Sequence, residues 1–360
     1  MQPLSLTPDM DSPKHNLRHL SSQQLESLFE ELGEKKYRVH QVEDWLWKKG
    51  ASHIHDMLNL SKALREQLEK QFTLNAVTID HTQQSSDGTL KNRFLTFDGH
   101  YVEGVLIPTE TRMTACISSQ VGCSLSCKFC ATGMMERKRN LDFDEIYDQV
   151  AILNQQSLDA NGNGLTNIVY MGMGEPLLNY KNVLKSIDRI TASDSMNMSP
   201  KRITVSTAGV AKMIRQLGDD KVRFNLALSL HAATDEKRDR IMAINETNNI
   251  KALIEALNYF YEQTKNDITL EYVLLKGEND SLEDAKELVK VYRKIPTHLV
   301  NVIEYNPVYG IPFIKSDEDS TQTFTDYLVS QKVNVRVRRS RGKDIDAACG
   351  QLANKNKELA

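Results

Sequence analysis

No run of apolar residues approaches the roughly 18 needed to cross a bilayer, so a membrane-spanning helix is excluded. The opening stretch MQPLSLTPDMDSPKHNLRHL lacks the sustained apolar segment of a secretory signal, and a cytoplasmic protein is expected. An excess of positive charge is also missing. Against 48 Asp and Glu stand 45 Lys and Arg, a net −3, so any contact with nucleic acid must come from local basic patches. Cysteine is scarce, with five in 360 residues at irregular spacing. In the cytosol that pattern suits metal ligands or catalytic thiols better than a disulfide framework. No tandem repeat of constant period occurs. What is present is 40% apolar content over a length sufficient for one large domain or two unequal ones.

Four segments differ in texture. Residues 1–75 open on an expected flexible arm with three prolines over 1–20 and continue as a helical accessory domain. Ser21 and Gln24 make a capping box ahead of Leu25, Leu28, Phe29 and Leu32. Val42, Trp45 and Leu46 repeat the helical spacing before Gly50, and Leu64, Leu68 and Phe72 mark a third helix. Three short helices bury little alone, so they are expected to dock on the remainder. Residues 76–108 read as a β-meander, AVTIDH, LKNRFLTF and YVEGVLI, with hairpin dipeptides Asp87-Gly88 and Asp98-Gly99 between the strands. From 109 to 345 the strands TACIS, TNIVYM, RITVST, RFNLALSL, ITLEYVLL and LVNVIEY alternate with amphipathic stretches such as 183–190 and 250–261. Six β-α repeats imply a parallel sheet with right-handed crossovers. The count falls short of eight, which favours an α/β partial barrel or open curved sheet over a closed barrel. Reactive residues then belong at the C-terminal strand ends. Residues 346–360 form a polar tail.

ACISSQVGCSLSCKFCATG follows the first of these strands and holds four of the five cysteines. Cys123, Cys127 and Cys130 are spaced C-x3-C-x2-C, with no histidine beside them. Structural zinc takes four protein ligands, and iron–sulfur clusters usually take four thiolates. Three ligands leave one metal position open for a substrate or cofactor, unless Cys116 joins them. Phe129 could pack against an aromatic ligand. After the second strand, YMGMGEPLLNY offers Gly172 and Gly174 for close backbone approach and Glu175 as an acceptor. Ser206, Ser229, His231 and Asn306 stand at further strand ends. Each alone reads as a turn or cap, but together they can converge on one cavity. Cys349, in RSRGKDIDAACGQL, lies in the polar tail, where it has little packing to do and could swing into a site.

CSLSCKFC resembles the cluster motif of the radical S-adenosylmethionine enzymes, whose fold is a partial (β/α)6 barrel. The resemblance implies that Cys123, Cys127 and Cys130 hold a [4Fe–4S] cluster whose fourth iron binds S-adenosylmethionine. It carries over Gly174, Glu175, Ser206, Ser229, Leu230, His231 and Asn306 as cofactor contacts. SSQVGC, GMGEPLLN and IDAACGQL, together with Cys116 and Cys349, are similar to the RNA-methylating branch of that family over nearly the whole chain. For that branch the expected reaction is methylation of adenine C2, at adenosine 2503 of 23S rRNA and adenosine 37 of tRNA. Two S-adenosylmethionine molecules are used per turnover. C2 is electron-poor and has no lone pair, so a radical route replaces polar transfer.

The resemblance also implies roles for the remaining residues. Cys349 accepts a methyl group and, once that methyl loses a hydrogen atom, joins the RNA at C2. Glu103 in YVEGVLIP removes the C2 proton. Cys116 attacks the Cys349 sulfur, leaving a transient Cys116–Cys349 disulfide. Without the resemblance, Glu103 reads as an exposed strand residue of the meander. A monomer is expected, supplied with electrons by a donor such as flavodoxin or ferredoxin.

RNA contact is expected from basic segments. KVNVRVRRSRGK at 332–343 holds six basic residues and no acidic one, and reads either as a charge-protected edge strand or as a phosphate grip. ERKRN at 136–140 adds a basic loop, and Trp45, Trp47, Lys48 and Lys49 offer a weaker third patch. C2 is reachable only in an unstacked base, so a flipped or loop adenine is expected. Two positions depart from the family pattern: MMERKRNL lacks the usual glycine, and Ala243 stands where a proline is usual. Two rival readings remain open here. A related enzyme methylates C8 of the same ribosomal adenine and shares all five cysteines, although Val121 and Pro176 favour C2. A non-catalytic iron–sulfur protein that binds RNA or carries electrons needs neither the glycine-glutamate turn nor a thiol in the tail.

Overall fold

The computed structural model describes residues 14–354. The three prolines of the expected arm and tail residues 355–360 lie outside the described residues. Near the start, β1 (His15–Asn16) pairs in parallel with β2 (Phe72–Thr73), bracketing α1 (Ser22–Glu31), α2 (Tyr37–Trp47) and α3 (Lys62–Gln71). The Ser21–Gln24 capping box is formed and starts α1. Leu25, Leu28, Phe29, Val42, Leu46, Leu64 and Leu68 are buried in a core continuous with that of the rest of the chain.

A ten-stranded sheet organises the remainder. The antiparallel meander is β3 (Thr78–Gln84), β4 (Leu90–Leu95) and β5 (Tyr101–Pro108). It is not a separate layer, because β5 pairs with β6 (Met113–Cys116), placing Val105 opposite Cys116. A small antiparallel pair, β7 (Gln120–Val121) and β8 (Arg139–Asn140), closes the cysteine-bearing loop. From β6 onward the main sheet is parallel and strictly sequential. β9 (Asn167–Tyr170), β10 (Ile203–Thr207), β11 (Asn225–Ser229), β12 (Ile268–Leu274), β13 (Leu299–Glu304) and β14 (Val335–Arg338) follow in order. The crossovers carry α4 (Phe143–Asn161), α5 (Tyr180–Thr191), α6 (Ala211–Asp219), α7 (Asp235–Ile241) with α8 (Ile250–Thr264), α9 (Leu282–Tyr292) and α10 (Glu318–Ser330).

The sheet ends at β3 and β14, so it is an open partial barrel. All six expected parallel strands are present, and β14 adds a seventh at the edge, cut from the basic run. Strands such as β10 and β11 read as near-continuous apolar runs because helices cover one face and the barrel interior the other. Among the described residues, no helix is long and apolar enough to cross a membrane.

The N-terminal helices dock through α4, and Asn16 and Arg18, which fall inside the stretch expected to be a flexible arm, are instead fixed in that joint by buried charge pairing. Arg18 is buried, and its Nη1 donates to both oxygens of Asp148, at 2.8 and 2.7 Å. Asp148 also accepts from the Val77 N–H at 2.9 Å, and Asn16 donates to Asp144 at 2.7 Å. Trp47 meets Tyr147 edge-on at 5.4 Å. A fully buried ion pair is costly to break, since the surviving carboxylate stays in a dry site. Arg18→Met is therefore expected to lower the unfolding free energy by about 3–5 kcal/mol in denaturant titration. A loss under about 1 kcal/mol would show that Asp148 is solvated elsewhere.

Candidate active site

The C-terminal ends of the parallel strands form one rim, and the loops there enclose a single cavity. Cys116, Cys123, Cys127, Cys130 and Cys349 all line it, and none is in a disulfide. Gly174, Glu175, Ser206, Ser229 and His231 line it as well. Ten of the thirteen residues expected to act on cluster, cofactor or substrate thus converge. Leu230, Asn306 and Glu103 do not line it.

The cysteine loop is held from several sides. Ser118, just after β6, donates through its hydroxyl to the Glu103 carbonyl at 2.6 Å and accepts from the Met173 N–H at 2.8 Å. The Lys128 N–H donates to the Ile241 carbonyl at the end of α7, and the Cys130 N–H donates to Cys127. Gly133 backs directly onto this turn: a Cβ there would sit 2.6 Å from the Cys127 carbonyl oxygen. Burial pushes the Cys123 thiol up to about 11 and also raises Cys127 and Cys130. Mutual repulsion adds to the shifts of Cys123 and Cys127, so both sense sulfur neighbours. Phe129 meets His231 edge-on at 4.9 Å, so part of its ring edge is committed within the protein.

The glycine-glutamate turn makes a close backbone approach, as the sequence suggests. Gly174 has φ +94°, and a Cβ would lie 2.5 Å from Gln120 Cβ. The close approach is therefore to the loop after β6, which locks the second strand end onto the first. Glu175 is buried; its two oxygens accept from the Leu177 N–H at 3.1 Å and the Ala208 N–H at 2.8 Å. Burial still raises its pKa. The Thr207 hydroxyl bonds to the carboxylate as well, which leaves it one lone pair for a further donor. Ser206 and Ser229 hydroxyls lie 3.3 Å apart. His231 accepts at Nδ1 from the Val273 N–H, and burial with nearby Arg238 lowers its pKa to about 3, so the ring is neutral.

Leu230 is fully buried in the core, and its carbonyl is taken by Arg238 Nε at 3.1 Å. Arg238 reaches Ala208 as well, bracing adjacent strand ends. Asn306 acts on the tail: its Nδ2 donates to Ser340 at 2.9 Å and to the Cys349 carbonyl at 3.4 Å. The tail does not swing freely. Ala131 N–H donates to the Gly350 carbonyl, Thr132 to Leu352, and Asn354 to Tyr101. Upstream, Asp344 accepts from Ser85 and Ser86, fastening the approach to Cys349 onto the meander. Cys349 itself is exposed, but into the cavity, and surrounding protein pushes its thiol up to about 11. Burial raises Cys116 to about 12, and Cys349 contributes.

Glu103 is buried, not exposed as the meander reading had it, because β5 is an internal strand and the tail covers it. Its carboxylate accepts from the Ala353 N–H at 2.9 Å and lies 3.7 Å from Lys91 Nζ. The basic segments are less available than their composition suggests. Arg139 of the ERKRN loop is forked onto Asp98 and Glu145, and Lys138 pairs with Glu136. In 332–343, Lys343 pairs with Glu304, Arg338 with Glu271, and Arg341 donates to the Asp87 carbonyl. Glu271 itself is a site residue missed in the sequence. Its signal was a lone acid inside the apolar strand ITLEYVLL, where only a partnered charge survives burial.

Three thiols facing one cavity, with a turn closed behind them and acceptors and hydroxyls opposite, suit an iron–sulfur cluster with one site left for a chelating ligand. The fold and this site define a radical S-adenosylmethionine protein. Residues 117–289 match the radical SAM superfamily, and residues 15–74 match the ribosomal RNA large subunit methyltransferase N-terminal domain. A crystal structure of a radical SAM methyltransferase from Sphaerobacter thermophilus superposes with TM-score 0.88, at 38% identity over 94% of this chain and 99% of that one. The probable dual-specificity RNA methyltransferase RlmN of Cytophaga hutchinsonii is 53% identical over 97% of this chain and 95% of its own length. The dual-specificity RNA methyltransferase RlmN of Geotalea uraniireducens is 42% identical over 94% and 96%. The chain belongs to the RlmN family. That membership implies a [4Fe–4S] cluster and S-adenosylmethionine as its cofactors.

In cluster-free protein, alkylation of Cys116 and Cys349 by iodoacetamide is expected to keep accelerating above about pH 10, following thiols raised to about 12 and 11. Peptide mass analysis reads each site. A plateau near pH 8–9 would contradict the upward shift of these thiols.

Proposed function

We propose that this protein methylates C2 of adenine in RNA, at adenosine 2503 of 23S rRNA and adenosine 37 of tRNA. The observation that carries the reading is that two free thiols, Cys116 and Cys349, share one cavity with the three clustered cysteines. When bound, the cluster and two S-adenosylmethionine molecules per turnover supply one methyl group and a carbon radical that takes a hydrogen atom from it.

The chain's own groups divide the remaining work. Cys123, Cys127 and Cys130 hold the cluster, and Gly174, Glu175, Ser206, Ser229 and His231 shape the cofactor side of the cavity. Cys349 accepts the methyl group on sulfur and presents the resulting methylene to C2. Asn306 holds the Cys349 carbonyl, which orients that turn. The adduct must lose one electron, which the cluster could accept if bound; Glu103 takes the C2 proton, and Cys116 attacks the Cys349 sulfur, leaving a Cys116–Cys349 disulfide and freeing the RNA methylene carbon, which takes up a proton to become methyl. In the free protein Glu103 accepts from Ala353, so tail residues 350–354 shift when the base enters. A flavodoxin- or ferredoxin-type donor supplies electrons to a monomeric enzyme.

Cys349→Ala is expected to keep its cluster and cleave S-adenosylmethionine while methylating no RNA; full methylation would overturn the two-thiol scheme. Cys116→Ala is expected to trap a covalent RNA–protein species on a denaturing gel. Mass analysis of digested RNA distinguishes the rival, since methyl at C8 would refute the C2 assignment.

Lys332, Arg336 and Arg339 are the bases of 332–343 left for phosphates by the pairings above. Three contacts at about −0.7 each predict a log affinity against log salt slope of about −2 for single-stranded RNA. A slope near −4, as for all six bases, would mean that the internal pairs open on binding.

A further inference from the structure

One buried carboxylate at the cavity wall has no part in the reading above. Glu271 stands in the middle of β12 and is 3% exposed. Its register neighbours are Ser229 on β11 and Asn301 on β13, so all three lie side by side across the sheet. Asn301 Nδ2 donates to Oε1 at 2.7 Å, and Arg338 of β14 lies 3.3 Å from Oε2. Glu271, Arg338, Cys116 and Cys349 line the cavity together. The charges of Arg338 and Glu271 are both felt at the Cys349 thiol, in opposite senses. The other wall carboxylate, Glu175, acts on Cys123 and Cys127, whereas at Cys349 the carboxylate felt is Glu271.

We propose that Glu271 receives the proton of the Cys349 thiol as that sulfur is methylated, with Arg338 steadying the developing thiolate. The proposal rests on the methyl-accepting role of Cys349. A thiol raised by burial holds very little thiolate at neutral pH, so methyl transfer needs somewhere for its proton to go. The balance is simple. The Cys349 S–H bond breaks and its proton moves to the Glu271 carboxylate. A bond forms between sulfur and the methyl carbon, and the sulfonium C–S bond breaks with its electron pair leaving on the departing thioether. No oxidant or reductant enters. Each Glu271 oxygen keeps a lone pair beyond its Asn301 or Arg338 contact, and burial raises the carboxyl pKa, which makes it a better acceptor. Asn301 from β13 and Arg338 from β14 contact Glu271, and the charges felt at the Cys349 thiol are those of Arg338, Cys130 and Glu271.

The test uses the cluster-loaded, oxygen-protected protein and S-adenosylmethionine, with Cys349 methylation followed by peptide mass from about pH 6.5 to 9. Glu271→Gln preserves size and a hydrogen-bond acceptor for Asn301. It is expected to slow methylation at neutral pH by about 10-fold or more, within the range of general-base catalysis, and to regain rate as pH rises. Iodoacetamide alkylation of Cys349 in the same variant is expected to be unchanged or faster, because it depends on the thiolate fraction and a nearby negative charge is gone. Glu271→Asp is expected to fall between the two in methylation.

These opposite movements separate a proton acceptor from a structural residue. A Glu271→Gln protein with wild-type methylation rate and pH profile would overturn the proposal. So would equal slowing of methylation and alkylation, which would mean that Glu271 only holds the wall in place. Absence of Cys349 methylation in the wild-type protein would instead strike the parent reading.

Discussion

Parallel pairing of seven consecutive strands is the constraint on which the site depends. In such a sheet every strand ends on the same rim, so a residue's position in the chain decides only which sector of the rim it reaches. The cysteine loop follows β6, the glycine-glutamate turn follows β9, and Ser206 and Ser229 close β10 and β11. Sequence separations of more than 200 residues collapse into one cavity that includes Cys349. The antiparallel strand β5 extends the same sheet on the near side, which is how Glu103 comes to lie under the tail.

Charge buried around this rim is consistently partnered. Arg238 spends its donors on carbonyls and Asn245, Arg18 pairs with Asp148, and Arg139 bridges the cysteine loop to Asp98 and Glu145. An unpaired ion in these positions would cost several kcal/mol, so the pairs fix how loops sit rather than adding much net stability. The same logic removes several basic residues from the RNA surface. Arg139 and Lys343 look like phosphate contacts by composition but serve as internal braces. The open thiol pair is the exception to this tightness, held by its backbone while its sulfurs face the cavity.

Much of the architecture was legible because local rules and the global fold agree. Strands buried on both faces must be apolar throughout, which separates RITVST and RFNLALSL from the helices between them, and the Ser21–Gln24 box marks α1 without reference to anything distant. The three cysteines were legible by spacing, and Glu175 and Ser206 by following strands. The tail was not: its place is set by hydrogen bonds such as Ala353 to Glu103 and Thr132 to Leu352, which span over 200 positions and leave no periodic trace. Glu103 looked exposed for the same reason, since alternation within one strand says nothing about what lies on top of it. Gly174 signals a close backbone approach in the sequence, and the fold supplies one such neighbour in Gln120, from a loop whose proximity no local pattern shows. Leu230 is tied to the site through Arg238, and Asn306 through Ser340 and the Cys349 carbonyl.

The account turns on three sulfur ligands leaving one iron for a sulfonium to chelate. Mössbauer spectroscopy of anaerobically prepared, iron-57-labelled protein, with and without S-adenosylmethionine, tests this most directly. The account predicts a [4Fe–4S] signature in which one iron changes its parameters when the sulfonium is added. Zinc in place of iron, or a cluster whose spectrum ignores the sulfonium, would contradict it.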